Sequence, residues 1–280
     1  MADNQFSFGF FDKNLCEEKK EDVDDKVVKT SKLPAKKLLL DNISGEDYQT
    51  IALQTPQGVR FLVVDQLACS NALEIGCDSD LEPGVYEGGL KVWECSIDLV
   101  DYLHCSGITF CEEDAVLELG CGHGLPGIYS LQAGAQTAVF SDYNHEVLEL
   151  ITLPNVVLNA QCSHSILSHC MFYSGDWGSL SSLMQEENEC PSTYSWILTA
   201  ETLYTEQTVK TVYKMICKHL IRPRGVALVS SKRYYFGTGG STQQFLNLIE
   251  QNPELTGEKV WISEDGKSNI REIVKVSWVQ

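Results

Sequence analysis

The segment LELGCGHG at residues 117–124 joins a carboxylate to a run of glycines, a combination that can hold a charged cofactor. Glu118 stands inside an apolar run that predicts a strand over 115–119, and glycines then occupy every second position from Gly120. Apolar residues at helical spacing follow directly. A strand, a glycine turn and a helix are together typical of an α/β sheet that receives a nucleotide-bearing cofactor at a helix N-terminus. Asp142 follows the next predicted strand, where an acid can accept hydrogen bonds from both ribose hydroxyls.

Two cofactors fit this pattern. The spacing of Gly122, Gly124 and Gly127 matches the dinucleotide fingerprint, and Asp142 lies near the distance that this fingerprint expects, about 20 residues on. Glu118 argues against a dinucleotide because a pyrophosphate is repelled by a carboxylate, whereas a sulfonium amino acid carries positive charge that a carboxylate attracts. We therefore favour S-adenosyl-L-methionine as the cofactor and keep NAD as the less favoured alternative.

The regular alternation of strands and helices from residue 92 onward predicts the fold that positions these groups. Such alternation indicates a parallel sheet with helices on both faces, and ligands of these sheets gather at the carboxyl ends of the strands. Pro154 should interrupt one apolar helix, which restarts at Asn155. The predicted strands cover 115–119, 137–141, 171–173, 195–200 and 226–230, followed by an antiparallel pair at 260–262 and 273–279. The predicted helices cover 93–103, 125–133, 145–150, 205–220 and 245–249.

Composition separates the first 80 residues from the rest of the chain. The chain has 280 residues, of which 43% are hydrophobic, and this is enough for one large α/β core plus an extension. Residues 19–37 mix lysines with acids and contain few large apolar groups, which is typical of disorder. We therefore predict an N-terminal extension over 1–80, partly disordered but with a hairpin within 51–64, and a cofactor-binding domain over 81–280.

The distribution of charge and of cysteine restricts the possible partners. The formal net charge is −18, and between residues 61 and 209 Lys91 is the one basic side chain against 22 acidic ones. Such a stretch repels nucleic acid and attracts basic proteins, so we expect a basic protein as partner and no direct contact with nucleic acid. The eleven cysteines include no C-x-x-C pair, and no apolar run approaches about 18 residues, so we expect an intracellular protein without a membrane span. No metal is predicted, because one His/Cys cluster matches no zinc template; its members are Cys162, His164, His169 and Cys170.

Several strings of residues resemble one enzyme family. They are GVYEGGLKVWEC at 84–95, LELGCGHGLPGI at 117–128, FSDYN at 140–144, LPNVVLNA at 153–160, YSGDW at 173–177, ILTAETLY at 197–204 and SSKRYYFGTGG at 230–240. From about residue 84 to the C-terminus the chain resembles the Rossmann-like, seven-strand class I S-adenosylmethionine-dependent methyltransferases. Within that class it most closely resembles the eukaryotic protein-histidine methyltransferases that modify a large-subunit ribosomal protein of the L-three type.

The resemblance implies a set of contacts to the cofactor. In that family the Trp-Glu-Cys segment lies over the cofactor, the glycine turn holds its methionine part, and the later motifs surround its ribose and adenine. The implied cofactor-binding residues are Val92, Trp93, Glu94, Cys95, Ser96, Gly120, Gly122, Ser141, Asp142, Tyr143, Gly175, Asp176, Trp177 and Ala200, to which the spacing argument adds Glu118. Two positions depart from the family pattern, because Ala200 replaces an expected serine and Asp176 replaces a more usual glutamate.

The resemblance also implies the catalytic residues and the reaction. Glu201 and Tyr204 occupy an acid-x-x-Tyr motif and are the catalytic candidates. The implied activity is N-methylation of a histidine, with the τ nitrogen of a ribosomal protein as the expected target, by a monomeric protein of the cytoplasm and nucleus. A histidine side chain has a pKa of about 6.5 and is mostly neutral near pH 7, so no strong general base is needed. Glu201 can instead accept a hydrogen bond from the second ring nitrogen, with Tyr204 shaping the pocket.

Three other functions remain open on the sequence alone. A protein-lysine N-methyltransferase of the same fold is the first, although a lysine amine must lose a proton from a pKa of about 10.4 before it reacts. A non-catalytic, cofactor-binding assembly factor for a basic ribosomal protein is the second. A nucleic-acid methyltransferase is the third, and it is disfavoured by the acidic stretch and by the absence of an Asn-Pro-Pro-Tyr-type motif.

Overall fold

The structure, a computed structural model, describes residues 33–38, 48–65, 85–159, 167–187, 190–263, 266 and 269–280. All of them lie in the compact unit Lys32–Gln280, one of two into which the chain divides. Most of the predicted extension lies outside the described residues, and so do Cys162 and His164 of the His/Cys cluster. Within the described ranges, no helix has the length and apolar character needed to span a membrane.

An eight-stranded sheet forms the centre of this unit. The strands of the chain are β1 (Lys36–Lys37), β2 (Thr50–Gln54), β3 (Arg60–Val64), β4 (Ala115–Leu119), β5 (Thr137–Asp142), β6 (Cys170–Ser174), β7 (Trp196–Ala200), β8 (Val226–Lys232), β9 (Leu255–Ile262) and β10 (Arg271–Trp278). The sheet order is β1-β6-β5-β4-β7-β8-β10-β9, and β2 pairs with β3 in a separate hairpin. Strands β4 to β8 are parallel, whereas β1, β9 and β10 add antiparallel edges. The chain leaves β4 toward β5 and returns on the other side as β7, so a topological switch point lies between β4 and β7.

Helices cover both faces of the sheet. They are α1 (Glu94–Cys105), α2 (Leu125–Gln132), α3 (His145–Val147), α4 (Leu153–Asn159), α5 (Trp177–Glu186), α6 (Glu206–His219) and α7 (Thr242–Glu250), with a π-helical turn at Leu148–Thr152 between α3 and α4. Side chains of β4 alternate between the faces, since Leu117 and Leu119 belong to the buried cluster of α5, α6 and α7 while Val116 packs with α1. The predicted α/β class is therefore confirmed, together with the position of every predicted strand.

The predicted hairpin is confirmed by the antiparallel pairing of β2 with β3. Phe61 and Val63 of β3 are buried in the cluster that includes Val156 of α4. Asn159 fixes the register of this contact, because its side chain accepts the Leu62 N–H at 3.0 Å and donates to the Leu62 carbonyl at 2.7 Å. The hairpin and β1 lie in the same compact unit as the sheet, and the domain boundary at residue 80 stays a prediction.

The structure corrects the prediction at Pro154. This proline does not restart a helix at Asn155; it is the second residue of α4, which continues directly from the π-helical turn. In that turn the Leu153 N–H donates to the carbonyl of Leu148, five residues back, so the backbone is already wider than an α-helix. The wider turn makes room for the proline ring, which in an α-helix would clash with a carbonyl of the preceding turn.

Candidate cofactor and catalytic site

Glycine is required in the turn between β4 and α2 for two reasons. The backbone angles there favour glycine, and a side chain would collide with neighbouring atoms. Gly120 and Gly122 have φ values of 64° and 49°, in the left-handed region that favours glycine. A Cβ on Gly120 would lie 2.7 Å from Thr202 Cγ2, and one on Gly122 would lie 3.1 Å from the Gly89 carbonyl oxygen. The turn therefore exposes backbone rather than side chains at the carboxyl end of β4. This is the cradle that a bulky cofactor needs at the switch point of a parallel sheet.

Asp142 ties the end of β5 to this turn. Its side chain is buried, and one carboxylate oxygen accepts the Gly122 N–H at 2.9 Å while the other accepts the Asn144 N–H at 3.2 Å. Burial raises the pKa of Asp142 to about 6, and the backbone hydrogen bonds oppose this rise. The carboxyl is therefore mostly ionised at neutral pH. A carboxylate has about four lone-pair directions, so Asp142 retains acceptor capacity for ribose hydroxyls.

Glu118 is buried on the face of β4 that packs against α2. Its carboxyl accepts the Gly127 N–H at 2.8 Å. Burial raises the pKa of Glu118 to about 8, and the charge of Asp142 contributes in the same direction. The carboxyl is thus largely protonated at neutral pH in this environment, and its direct contact with a cofactor stays a prediction.

Glu118→Gln is expected to reduce the dependence of stability on pH. Between the ordinary pKa of 4.5 and about 8, the unfolded chain has lost the Glu118 proton while the folded chain retains it. The free energy of unfolding therefore falls as pH rises through this window. Glutamine carries no titrating proton and its oxygen can still accept the Gly127 N–H. Each pH unit inside this window is worth about 1.4 kcal/mol, so the variant should gain about 3–4 kcal/mol relative to the wild type between pH 5 and pH 8.

Urea unfolding at several pH values measures this difference, with Glu113→Gln at an exposed position as the matched control. If the free energy of unfolding changes with pH in the same way for Glu118→Gln and for the wild type, the prediction is wrong. Calorimetry with S-adenosylmethionine on the same variant tests the cofactor role separately. Attraction of a sulfonium requires the ionised carboxylate, so the variant should bind more weakly than the wild type only near and above pH 8, where Glu118 ionises.

The start of α1 lies beside the catalytic candidates. Trp93 precedes the first helical residue and its indole N–H donates to the Gly88 carbonyl at 2.9 Å. Cys95 is fully buried, and burial together with the neighbouring Glu201 carboxylate raises the pKa of its thiol. Glu94 is largely exposed and its carboxylate lies 3.6 Å from the guanidinium of Arg271. Of the predicted Trp-Glu-Cys contacts, the structure therefore brings Trp93 and Cys95 to the site.

Ser96 and Val92, the other predicted contacts in this segment, have local packing and hydrogen-bonding partners. The Ser96 hydroxyl donates to the Trp93 carbonyl at 2.7 Å, which closes the first turn of α1. Val92 is half-buried and packs against the cluster of β5 and α2. Their predicted contacts to the cofactor stay predictions.

The predicted adenine side gathers at the ends of β5 and β6. The Ser141 hydroxyl donates to the Glu118 carbonyl at 3.1 Å, and the Gly175 N–H donates to the carbonyls of Asp142 and Tyr143 at 3.0 and 3.2 Å. Asp176 caps α5, since its side chain accepts the N–H groups of residues 178 and 179. The helix that follows is not among the predicted elements, although an aspartate is a preferred N-cap residue.

Trp177 and Ala200 complete the predicted contacts. The Trp177 ring lies 3.6 Å from the position that a Cβ of Gly120 would take, so it borders the glycine turn. Ala200 ends β7 and is half-buried, paired with Ser230 of β8. Both therefore lie at the carboxyl edge of the sheet with the other predicted residues.

Glu201 follows β7 directly and has the geometry of a functional residue. Its φ is 59°, which is uncommon for a residue other than glycine and is typical of functional sites. One carboxylate oxygen accepts the Tyr235 hydroxyl at 2.6 Å, and the other lies 3.4 Å from Lys232 Nζ. That second oxygen is buried and accepts no hydrogen bond from any residue the structure describes. Glu201 therefore keeps hydrogen-bond acceptor capacity on the oxygen that is ion-paired with Lys232, and the next residue, Thr202, lies against Gly120 of the glycine turn.

Tyr204 has a different partner from Glu201. Its hydroxyl donates to the carboxylate of Glu87, whose own N–H donates to the Asn144 side chain at 3.0 Å. Burial, with the adjacent Glu87 charge, raises the pKa of Tyr204, so the phenol keeps its proton. The acid-x-x-Tyr motif thus connects the end of β7 to the segment before α1, and Tyr204 acts there as a hydrogen-bond donor.

Three residues of this site were not singled out from the sequence. Lys232 and Tyr235 hold the Glu201 carboxylate, and the Lys232 ammonium also lies 5.2 Å from the centre of the Trp93 ring, within cation–π range. Glu87 receives the Tyr204 hydroxyl. Their position could have indicated them, because Lys232 ends β8 and Tyr235 follows it at the edge of the sheet where ligands gather. Among the described residues, no cluster of His, Cys, Asp and Glu could hold a metal ion.

A parallel sheet with helices on both faces, a glycine turn after β4 and a buried acid at the end of β5 are the features of a class I methyltransferase fold and its cofactor site. Residues 79–252 match the family model described as "Lysine methyltransferase", and the chain belongs to this family. This membership confirms the predicted cofactor as S-adenosyl-L-methionine rather than NAD.

The chain is also similar to individual proteins whose names specify an activity. The chain is 41% identical over 199 residues to the "Histidine protein methyltransferase 1 homolog" of Dictyostelium discoideum, covering 71% of this chain and 60% of that protein. It is 35% identical over 207 residues to the Bos taurus protein of the same name, covering 67% of this chain and 55% of that protein. The chain thus spans little more than half the length of these relatives. An O-methyltransferase from Bacillus cereus in complex with S-adenosylhomocysteine shares the fold, with a TM-score of 0.51 at 12% identity over 76% of this chain and 88% of that one.

Proposed function

We propose that this protein is an S-adenosylmethionine-dependent protein-histidine N-methyltransferase. The observation that carries the proposal is the buried carboxylate oxygen of Glu201, which lacks a hydrogen bond from the described residues. Glu201 follows β7 directly, and the next residue, Thr202, lies against Gly120 of the glycine turn. The names of the similar proteins support the same chemistry. The residues around the turn fit the cofactor, because Gly120 and Gly122 leave backbone exposed and Asp142 retains acceptor capacity.

The chain contributes alignment and electrostatic stabilisation to the reaction. When bound, S-adenosylmethionine supplies a methyl group whose transfer to a nitrogen lone pair forms the N–C bond and leaves the electron pair of the broken C–S bond on sulfur. Glu201 accepts a hydrogen bond from the other ring N–H of the target imidazole, which selects one tautomer and stabilises the positive charge that develops on the ring. Tyr235 and Lys232 hold the carboxylate in place for this contact.

The surroundings of Glu201 favour histidine over lysine as the target. A lysine amine needs a base that removes its proton, and the two tyrosines of the site cannot serve, because burial and adjacent carboxylates raise the pKa values of Tyr204 and Tyr235. Lys232 already lies beside Glu201, so a second ammonium would face a like charge. A neutral imidazole needs no base to remove a proton before it reacts, and it is not repelled by the Lys232 ammonium. Lysine methylation is the alternative, in line with the description of the matching family.

For the substrate, we propose the τ nitrogen of a histidine in a large-subunit ribosomal protein of the L-three type. The long acidic stretch of the chain supports a basic protein partner and disfavours nucleic acid. We further propose that the protein acts as a monomer in the cytoplasm and nucleus, where a ribosomal protein is met before or during assembly.

Incubation with labelled S-adenosylmethionine and a recombinant ribosomal protein of this type tests the proposal. Amino-acid analysis of the labelled product should give τ-methylhistidine. Methyllysine would support the lysine alternative, and cofactor binding without any transfer to this protein or to a cell lysate would support the non-catalytic assembly factor.

Phe236→Ala is expected to weaken binding of the protein substrate. Phe236 is 85% exposed, and it follows Tyr235, which contacts Glu201. The backbone of this loop is fixed, because the Tyr235 N–H donates to the Gly240 carbonyl at 3.0 Å and the Gly240 N–H donates to the Tyr204 carbonyl at 3.1 Å. An ordered, exposed aromatic beside the site is suited to contact the substrate chain, so its loss should raise KM by about tenfold with little change in kcat.

Val279→Ala is the matched control, since Val279 is 55% exposed and follows β10 at the opposite edge of the sheet. Steady-state kinetics with the ribosomal protein measure both variants. Equal KM values for Phe236→Ala and Val279→Ala would show that the loop aromatic has no part in substrate binding.

A further inference from the structure

We propose that His123 and Asn155 are positioning residues that set the affinity for S-adenosylmethionine, by holding residues 87–91 against the glycine turn. Neither residue belongs to the predicted cofactor contacts. The proposal is independent of which nucleophile accepts the methyl group, because it concerns only the binding of the cofactor.

A chain of buried hydrogen bonds links four segments that are distant in sequence. His123 Nε2 lies 2.8 Å from the carbonyl oxygen of Leu90. The Asn155 side-chain nitrogen lies 3.0 Å from the His123 carbonyl oxygen and 3.2 Å from His123 Nδ1, and its oxygen accepts the Val64 N–H at 2.8 Å. His123 is 5% exposed and Asn155 is fully buried, so water does not compete for these bonds.

Only one arrangement of protons satisfies every group in this chain. A carbonyl oxygen accepts but cannot donate, so the network assigns the ring proton of His123 to Nε2 and leaves Nδ1 as the acceptor of the Asn155 amide N–H. Burial lowers the pKa of His123, which favours this neutral form. A flipped Asn155 amide would place its N–H groups against the Val64 N–H and its oxygen against two acceptors, so the orientation of Asn155 is also determined.

Residues 87–91 border the cofactor site directly. Gly122 and the Gly89 carbonyl approach so closely that a Cβ on Gly122 would lie 3.1 Å from that oxygen, and a Cβ on Gly89 would lie 3.2 Å from Asp142 Oδ2. The Leu90 N–H is held as well, since it donates to the Tyr86 hydroxyl at 2.9 Å. Glycines at 88 and 89 give this segment backbone freedom. The Trp93 indole holds the Gly88 carbonyl, and the hydrogen bond from His123 ties the Leu90 carbonyl to the glycine turn itself.

The N-terminal hairpin is the far end of the same chain of contacts. Val64 is the last residue of β3, and its N–H orients the Asn155 amide that in turn orients His123. Part of the predicted extension therefore supports the cofactor site through Asn155 and His123.

Calorimetric titration of the full chain with S-adenosylmethionine, at a temperature well below unfolding, tests the proposal. His123→Ala should raise the dissociation constant about tenfold or more, which corresponds to the loss of about 1.4 kcal/mol. His123→Gln keeps a side-chain N–H that can reach the Leu90 carbonyl and should recover most of the affinity, whereas His123→Asn is too short and should behave like alanine.

His219→Ala is the matched control. His219 is also buried, with a lowered pKa, and its ring nitrogens lie 2.8 Å from the Ser181 hydroxyl and 2.8 Å from the Ser192 carbonyl, but it lies at the amino-terminal edge of β7. Its loss should lower the melting temperature without changing the dissociation constant. Equal cofactor affinities for His123→Asn and His123→Gln would overturn the proposal, and so would an unchanged affinity in His123→Ala, because His123 would then serve stability alone.

Discussion

Glu201→Gln is expected to lower kcat for methyl transfer to the protein substrate by about 10²- to 10³-fold, the usual effect of removing one preorganised electrostatic group. Glutamine keeps the length of the side chain and the same backbone requirement at a φ of 59°. It removes the negative charge that stabilises the developing imidazolium. Single-turnover measurements with labelled cofactor and the ribosomal protein determine the rate.

Cofactor affinity separates this effect from damage to the site. The dissociation constant for S-adenosylmethionine should stay within about twofold of the wild type, since the proposed contact of Glu201 is to the substrate. Glu206→Gln, at an exposed position on the first turn of α6, is the matched control and should leave turnover unchanged. Normal turnover by Glu201→Gln, with normal cofactor affinity, would remove Glu201 from the mechanism.

Gly240→Ala is expected to have the largest effect on folding stability. A Cβ at this position would lie 1.9 Å from the Leu203 carbonyl oxygen, 2.4 Å from the Tyr204 carbonyl carbon and 2.7 Å from the Thr205 nitrogen. These are backbone atoms of the segment after β7, and they cannot rotate out of the way as a side chain can. The free energy of unfolding should fall by about 4 kcal/mol or more, which places this change among the most destabilising single substitutions.

Gly237→Ala in the same loop is the control for backbone conformation alone. Gly237 has a φ of 87° and nothing lies within 4 Å of its Cβ position, so alanine there meets only conformational strain of about 1–2 kcal/mol. Denaturant unfolding of both variants measures the difference. Equal destabilisation of Gly240→Ala and Gly237→Ala would show that the loop moves freely away from Leu203, contrary to the packing described above.

The elements and the cofactor could be predicted from the sequence because their causes are local. The strands have apolar runs bounded by turn residues, and the turn at Gly120 and Gly122 needs a backbone that only glycine adopts easily. The acid Asp142 follows its strand at the spacing that a ribose contact requires. Local rules failed at Pro154, where the π-helical turn before the proline removes the clash that an α-helix would have.

The partners of the catalytic candidates could not be predicted, because they come from distant parts of the chain. Glu201 and Tyr204 are three residues apart and were predicted as one motif, yet the structure pairs Glu201 with Tyr235 and Lys232, and Tyr204 with Glu87. The contacts of Glu201 depend on the order of strands in the sheet, which places the end of β8 beside the end of β7. Sequence spacing carries no information about that neighbour.

The sequence by itself determined the class of fold, the cofactor and the edge of the sheet where chemistry occurs, since hydrophobic periodicity and glycine turns act over a few residues. Tertiary structure alone decided how that edge is held together. His123 reaches Leu90 and Asn155 reaches Val64 only after strands and helices have packed. Buried polar groups are stable only with partners, and packing selects those partners from segments that the chain order keeps far apart.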